Sequence, residues 1–234
     1  MNRLVILSCT LAVLSAPAHA QRLNDSSDWW SINREDPRTR TVKPSNHELQ
    51  PSNFSLAGVT LGQGGVEAIT ARLGRAPEIE RGDASTGRSQ LCYASTLNSA
   101  VHTVFEFGED ESVFYLFSGG APWNGSKYCM QSKRVSKSLS TASGLRLGLT
   151  RSEVEAILGH PDATTADEFV YSREFDKKST SKEFETLRRD YPAPLSDAQA
   201  HTKFDFYPVE QYVLARFSDS KLVYLAVSVS GSGD

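Results

Sequence analysis

The pentapeptide Gly58-Val59-Thr60-Leu61-Gly62 returns as Gly144-Leu145-Arg146-Leu147-Gly148. Each copy runs through a short amphipathic stretch into Leu-Gly and a proline, at Leu73-Gly74-Arg75-Ala76-Pro77 and at Leu158-Gly159-His160-Pro161. Aligned from the Leu-Gly end, Ile69, Ala71 and Leu73 match Val154, Ala156 and Leu158, with one extra residue in the first copy. A period of roughly 86 residues describes a duplicated small domain, since solenoid units repeat every ~20–50 residues.

Each shared segment reads as one helix of about three turns. In the second copy Thr150 and Glu153 have the spacing of a capping box, and Val154, Ile157 and Leu158 share a face. In the first, Gly64-Gly65 opens the helix poorly, while Val66, Ile69 and Leu73 supply the apolar side. Gly74 and Gly159 suit the left-handed residue that ends a helix, and the prolines forbid continuation.

Strands follow each helix, rich in β-branched and aromatic residues and separated by Gly, Asp and Ser clusters. The first copy offers 90–95, 101–107, 112–118 and a fourth at 127–135; the second offers 168–175, 203–207, 211–218 and 222–230. In the last, Val223, Leu225, Val227 and Val229 alternate with Tyr224, Ala226 and Ser228, which predicts one buried face. The expected fold is α+β: two tandem repeats, each a short helical segment packed on an antiparallel β-meander sheet. Their spans are 54–138 and 139–234. The second carries an insertion at 176–202, where Thr180 with Glu183 and the stripe Phe184, Leu187, Tyr191 predict a helix near 181–190. Residues 21–53, polar and punctuated by Pro37, Pro44 and Pro51, read as a flexible N-terminal arm.

The N-terminus has a basic start at Arg3, an apolar run from Leu4 to Ser15 and a small-x-small site at Ala18-His19-Ala20. That is the pattern of a signal peptide over residues 1–20, and the run is too short to span a bilayer. Cys9 lies inside the apolar run rather than after it, which disfavours a lipoprotein. The expected location is the periplasm or the secreted fraction of a bacterium. Cys92 and Cys129 then form an even pair in an oxidising compartment, which favours one disulfide. A fourth meander strand at 127–135 would hold Cys129 about three strand spacings from Cys92, whereas a disulfide needs Cα atoms within ~7 Å. Either the Cys129 segment crosses back toward Cys92, the favoured reading, or no bridge forms.

The unit G-x-x-L-G, short helix, Leu-Gly, Pro and meander resembles the SmpA/OmlA (BamE-like) family and equally the tandem-repeat β-lactamase inhibitor protein. The likeness covers about 58–118 and 144–230. It implies an exported bacterial protein without enzymatic activity, which either supports outer-membrane assembly or inhibits a secreted enzyme through a concave sheet. The chain departs from the first branch in having no lipobox and two copies. For the second, no inhibitory residue carries over position by position.

Chemistry-bearing motifs are scarce. A formal charge of −3 lacks the basic excess that nucleic-acid phosphates require. His47, His102, His160 and His201 are isolated, without metal-ligand spacing, so no metal or cofactor is expected. Ser179-Thr180-Ser181-Lys182 satisfies S-x-x-K without its companion motifs, and Gly62-Gln63-Gly64-Gly65 lacks the spacing of a phosphate loop.

Binding candidates are clearer. Trp123 sits in the turn 119–126, either as an interface anchor or tucked beside Cys129. Trp29-Trp30 in the arm either docks on a partner or folds back on its own domain. Tyr207, Tyr212 and Tyr224, with Asp205 and Arg216, are expected on the strand face opposite the core, a protein-binding surface or an ordinary solvated one. The functional expectation is an exported, non-enzymatic protein-binding module of the envelope, of inhibitor or immunity type, whose partner is an envelope or secreted protein. The alternatives are an assembly or structural component associated with the outer membrane, and a small periplasmic hydrolase with its site between the repeats.

Overall fold

The structure, a computed structural model, describes residues 42–45, 47–81, 87–108, 111–118 and 128–231. The expected signal peptide and most of the arm lie outside them. A 3-10 turn at Pro51–Phe54 leads into a small hairpin, β1 (Ser55–Leu56) with β2 (Val59–Thr60), and then helix α1 (Val66–Leu73). Strands β3 (Ile79–Arg81), β4 (Arg88–Ser95), β5 (Val101–Phe107), β6 (Glu111–Ser118) and β7 (Met130–Ser132) follow. The second half comprises α2 (Arg151–Leu158), β8 (Ala163–Thr164), β9 (Glu168–Lys178), α3 (Ser181–Asp190), α4 (Asp197–Phe204), β10 (Phe206–Ser218) and β11 (Lys221–Ser230). The architecture is α+β, with four α-helices and a mostly antiparallel nine-stranded sheet among the described residues.

The sheet order is β3-β4-β5-β6-β11-β10-β9-β8, with β7 added to β4. Read outward from the central β6–β11 pair, both sides run last strand, middle strand, first strand and short edge strand. Local detail follows the same order. Tyr93 of β4 donates its hydroxyl to the Gly74 carbonyl beyond α1 (2.8 Å), and Tyr171 of β9 donates to the Gly159 carbonyl beyond α2 (3.1 Å). Both glycines take positive φ, 103° and 81°, a region that lets the chain turn off the helix without a Cβ clash.

One face of the sheet packs under α1, α2, the 3-10 turn and the 139–149 turns, burying Leu91, Phe105, Phe114, Leu116, Val213 and Leu225 among others. The opposite face is buried as well. Cys92, Val104, Tyr115, Phe117, Leu214, Tyr224 and Ala226 form a second cluster, and Val42, Tyr128, Cys129 and Ala163 pack on it. This corrects the expectation of one buried face on β11: the residues between its valines, Tyr224, Ala226 and Ser228, are inaccessible too.

The Cys129 segment crosses back, the favoured of the two readings: instead of a fourth meander strand it forms β7, parallel to β4, with Met130 opposite Tyr93. That crossing brings Cys92 and Cys129 into a disulfide at a Cα separation of 4.5 Å, which meets the geometric requirement the meander would have violated. Two further expectations change. Of the strand expected at 203–207 only Phe206 and Tyr207 are extended: Lys203 and Phe204 close α4, whose capping box pairs Ser196 with Gln199. The strand starts at Phe206 and runs unbroken through Pro208 to Ser218. The stretch expected to be a flexible arm is also docked from Val42 on. The Ser45 backbone pairs beside β9, and Leu49 and Phe54 are buried in the helix-face core.

Candidate functional site

The proposed binding residues do not form one surface. Trp29, Trp30 and Trp123 lie outside the described residues. Tyr212 and Tyr224 are 7% and 2% exposed, within the second cluster. Arg216 shares their face and is half-buried; its Nε and Nη2 donate to Glu168 Oε1 at 3.0 and 2.8 Å, and its guanidinium lies 5.3 Å from the Tyr224 ring centre. Tyr207 points to the other side of the sheet. It stands five positions from Tyr212, and along an unbroken strand an odd spacing puts two side chains on opposite faces. Of the four sheet residues, Tyr207 alone reaches a cleft.

That cleft, about 480 Å³, opens on the helix face where helices leave the end of the sheet uncovered. Its floor is one transverse row of cross-strand partners: Gln211 on β10, Val229 on β11, Ser112 on β6, Phe107 on β5 and Ser89 on β4. The 62–66 loop forms the opposite wall, and Gly62 lies over Val229 so that an added Cβ would meet the valine at 4.0 Å. Phe54 and Pro51 close one side. Gln211 Oε1 accepts the Leu49 N–H at 2.8 Å and so ties this segment to the floor.

The glycines explain why the site is open. Helix α1 has Gly65 as its N-cap, without a side-chain hydrogen bond, whereas α2, α3 and α4 each have a complete capping box. An added Cβ at Gly65 would have nothing within 4 Å.

Charge gathers beside the row, whose β9 member is Arg173. Four residues further along β9, Lys177 stands opposite Tyr207, its ammonium 5.7 Å from the ring centre. Tyr207 donates its hydroxyl to Glu183 Oε1 at 3.2 Å, and Glu48 also lines this end. The hydrogen bond with Tyr207 raises the Lys177 pKa, helped by the fields of Glu183 and Glu48. Hydrogen bonds from Thr180, with smaller contributions from Tyr207 and Lys177, hold the Glu183 carboxyl below its ordinary value. On the β5–β6 side Glu111 borders the cleft, but it alternates with Ser112 on β6, so its side chain lies on the opposite face of the sheet, 3.6 Å from Arg88. Arg88 also pairs with Glu106, which is 1% exposed and takes a second hydrogen bond from Gln90 at 2.6 Å.

Chemically, this arrangement sets fixed charges, Lys177, Glu183 and Glu48, beside a floor of mixed polar and apolar residues. The shifts of Lys177 and Glu183 deepen their charged states, which suits recognition rather than proton transfer near neutral pH. Among the described residues no group of three or more His, Cys, Asp or Glu gathers at metal-binding distance. No helix of the described residues is long and apolar enough to cross a membrane. His160 pairs with Glu155 (2.9 Å) and His201 with Asp205 (2.8 Å), and neither histidine lines the cleft.

Pieces of the cleft carry sequence signals of another kind. Gly62–Gly65 was legible as a poor helix start but not as a wall, and Glu183 as a cap but not as a partner of Tyr207. Lys177, Glu48 and Glu111 carry no motif, because register rather than spacing brings them together. Compared with protein-family models, curated proteins and solved structures, the chain finds no match.

Proposed function

We propose that this chain is an exported, non-enzymatic protein-binding module of the bacterial envelope, of the inhibitor or immunity type, built from two copies of one helix-then-sheet unit. The cleft carries this reading. It crosses the seam between β6 and β11, its floor draws on both halves of the sheet, and its charged groups are held ionised by neighbours. An open groove with a mixed polar and apolar floor and charged groups beside it suits a protein interface, whose rim is commonly polar. The mirrored strand order and the paired Tyr93–Gly74 and Tyr171–Gly159 hydrogen bonds support duplication. They also favour kinship with the BamE-like and inhibitor-like proteins whose repeat motif the sequence resembles. The leader pattern and the Cys92–Cys129 disulfide support an extracytoplasmic location.

The test is affinity capture from envelope and secreted extracts of the source bacterium, comparing the native protein with Gly65→Phe. The substituted ring enters open space, so the variant should keep its thermal midpoint and fill the cleft. The expected result is one stoichiometric protein retained through a salt wash by the native chain and lost by the variant. An empty column, or equal retention by a folded Gly65→Phe chain, overturns the reading of the cleft as the binding site.

A further inference from the structure

Resting on that reading, we infer that the cleft takes the free carboxyl terminus of the partner polypeptide, with a basic side chain close behind it. Two independent sets of hydrogen-bond donors line the same space. The first is the start of α1. Among the described residues the N–H groups of Gly64, Gly65, Val66 and Glu67 have no acceptor, and the glycine at the cap position has no side chain to supply one. Gly64, Gly65 and Val66 line the cleft and the rest of α1 does not, so the helix opens into the cleft by its N-terminal end. Nothing lies within 4 Å of where a Gly65 Cβ would stand, which leaves the approach to these groups clear. Unpaired N–H groups at the positive end of a helix attract carboxylates and phosphates.

The second set is the amide of Gln211 on the floor, a residue 5% exposed. Its Oε1 accepts the Leu49 N–H, which orients the group, and its Nε2 has no acceptor among the described residues. Val229, the cross-strand neighbour of Gln211, lies under Gly62, so this amide and the glycine wall bound one stretch of the cleft. A carboxylate brings two acceptor oxygens, one for each set. The charges then choose between a bare anion and a peptide end. Lys177 donates to Tyr207 and Tyr207 to Glu183, so those two charges are joined. Glu48 makes no ion pair among the described residues, and Glu111 lies on the other face of the sheet. One net negative charge therefore remains beside the floor. It disfavours phosphate and favours a ligand that carries a cation with its carboxylate. A polypeptide end with lysine or arginine near its last residue has both, and backbone N–H groups recurrently capture terminal carboxylates. The volume of about 480 Å³ lies within the ~300–1,000 Å³ range of ligand pockets.

The probes are two pools of N-acetylated pentapeptides, random in sequence, one ending in a free carboxylate and the other in a carboxamide. Each is passed over the full, disulfide-bonded chain, retained members are identified by mass spectrometry, and the best retained peptide is titrated by calorimetry. The free-acid pool should be retained about tenfold over the amide pool, as hydrogen bonds to a charged group warrant. Its retained members should be enriched in lysine and arginine, and Glu48→Gln should abolish that enrichment. Gly65→Asp supplies the α1 N–H groups with a carboxylate from within. Aspartate is a favoured N-cap, so the variant should fold, and it should weaken the best peptide about tenfold. Gln211→Glu keeps an acceptor for the Leu49 N–H but turns the donor into an acceptor, and should weaken the same peptide about as much. Asp219→Asn, in the turn between β10 and β11, should leave binding unchanged. Equal retention of the two pools, no retention of either, or a folded Gly65→Asp chain that binds like the native one overturns the inference. Enrichment that persists in Glu48→Gln overturns its basic half. Free lysine competing as well as the best peptide also overturns it, making the cleft an amino-acid site. Should the pools give nothing while the extract column still retains a partner that Gly65→Phe loses, this inference falls and the protein-binding reading stands. Free-acid peptides retained beside an empty extract column support the carboxylate site and overturn the protein-binding reading.

Discussion

The two halves of the sheet place a tyrosine under the end of a helix in the same way, yet they secure the surrounding strand by different means. In the first half the Cys92–Cys129 disulfide and the parallel strand β7 hold β4. In the second, β9 is held by the Arg173–Asp162 ion pair and by the Ser45 backbone, which accepts from Glu174 N and donates to Ser172 O. A covalent staple acts largely on the unfolded chain, whereas an ion pair acts within the folded one. The first half should therefore depend on redox conditions and the second on a single buried charge.

The largest effect is expected from Cys92→Ala with Cys129→Ala. A separation of 37 residues gives about 4 kcal/mol by the chain-entropy model. The denaturant midpoint should fall accordingly, and a reductant should reproduce the fall in the native protein without affecting the double variant. In the other half Arg173→Met removes a cation that is 7% exposed and leaves Asp162 without its ionic partner. Breaking a buried pair from one side costs about 3 kcal/mol. That loss should be insensitive to reductant, and the two sets of substitutions should add, since they lie in separate halves. Strong non-additivity would mean that the halves unfold through a shared element.

Alkaline pH probes what the halves share. Burial raises the Tyr93 pKa to about 12 and raises that of Tyr171 further. Below the unfolded value near 10 both phenols are neutral in either state, so stability is intact. As pH climbs from 10 toward 12 the unfolded chain ionises and the folded chain does not, and stability falls. The slope is about 1.4 kcal/mol per pH unit for each tyrosine. Denaturant midpoints at pH 9 and pH 11 should show this, and Tyr93→Phe and Tyr171→Phe should each remove a similar share of the slope. Unequal shares would separate the two helix ends that the hydrogen bonds make look alike.

What could be read in the sequence was local. The capping boxes at Thr150 and Thr180, the glycines that end α1 and α2, and the strands 101–107 and 222–230 all depend on neighbours within a few residues, and all appear in the fold. Helix α4 has the same local signal in Ser196 and Gln199, but the aromatic residues Phe204, Phe206 and Tyr207 that follow carry a competing strand signal. The faces were harder. Val223, Leu225, Val227 and Val229 announce a buried face, but nothing in that alternation says whether Tyr224 meets water or a second layer, which depends on segments distant in sequence. The cleft was harder still, since Gln211, Val229, Ser112, Phe107 and Ser89 become a row through pairing register alone. Tyr207 was misplaced for a simpler reason: its parity relative to Tyr212 becomes meaningful once β10 is known to continue through Pro208.

The smallest effect concerns the two helix starts, and it bears most directly on function. Thr150→Ala removes the hydroxyl that accepts from Glu153 N and should cost about 1 kcal/mol. At the matching position in the first half, Gly65→Ser offers α1 the acceptor it lacks. With φ at −77° and open space around the new Cβ, serine fits without strain. Glycine is itself a tolerable N-cap, so the gain should be a few tenths of a kcal/mol. The pair of substitutions should therefore narrow the difference between α1 and α2 from both sides, measured as denaturant midpoints. If Gly65→Ser stabilises as much as Thr150→Ala destabilises, the bare helix start forgoes substantial stability to keep the 62–65 wall open. Gly65→Ser should then also weaken retention of the captured partner, which Thr150→Ala leaves untouched. If instead the serine changes neither stability nor partner retention, the glycine wall is a neutral feature of α1, and recognition rests on the charged groups around Lys177.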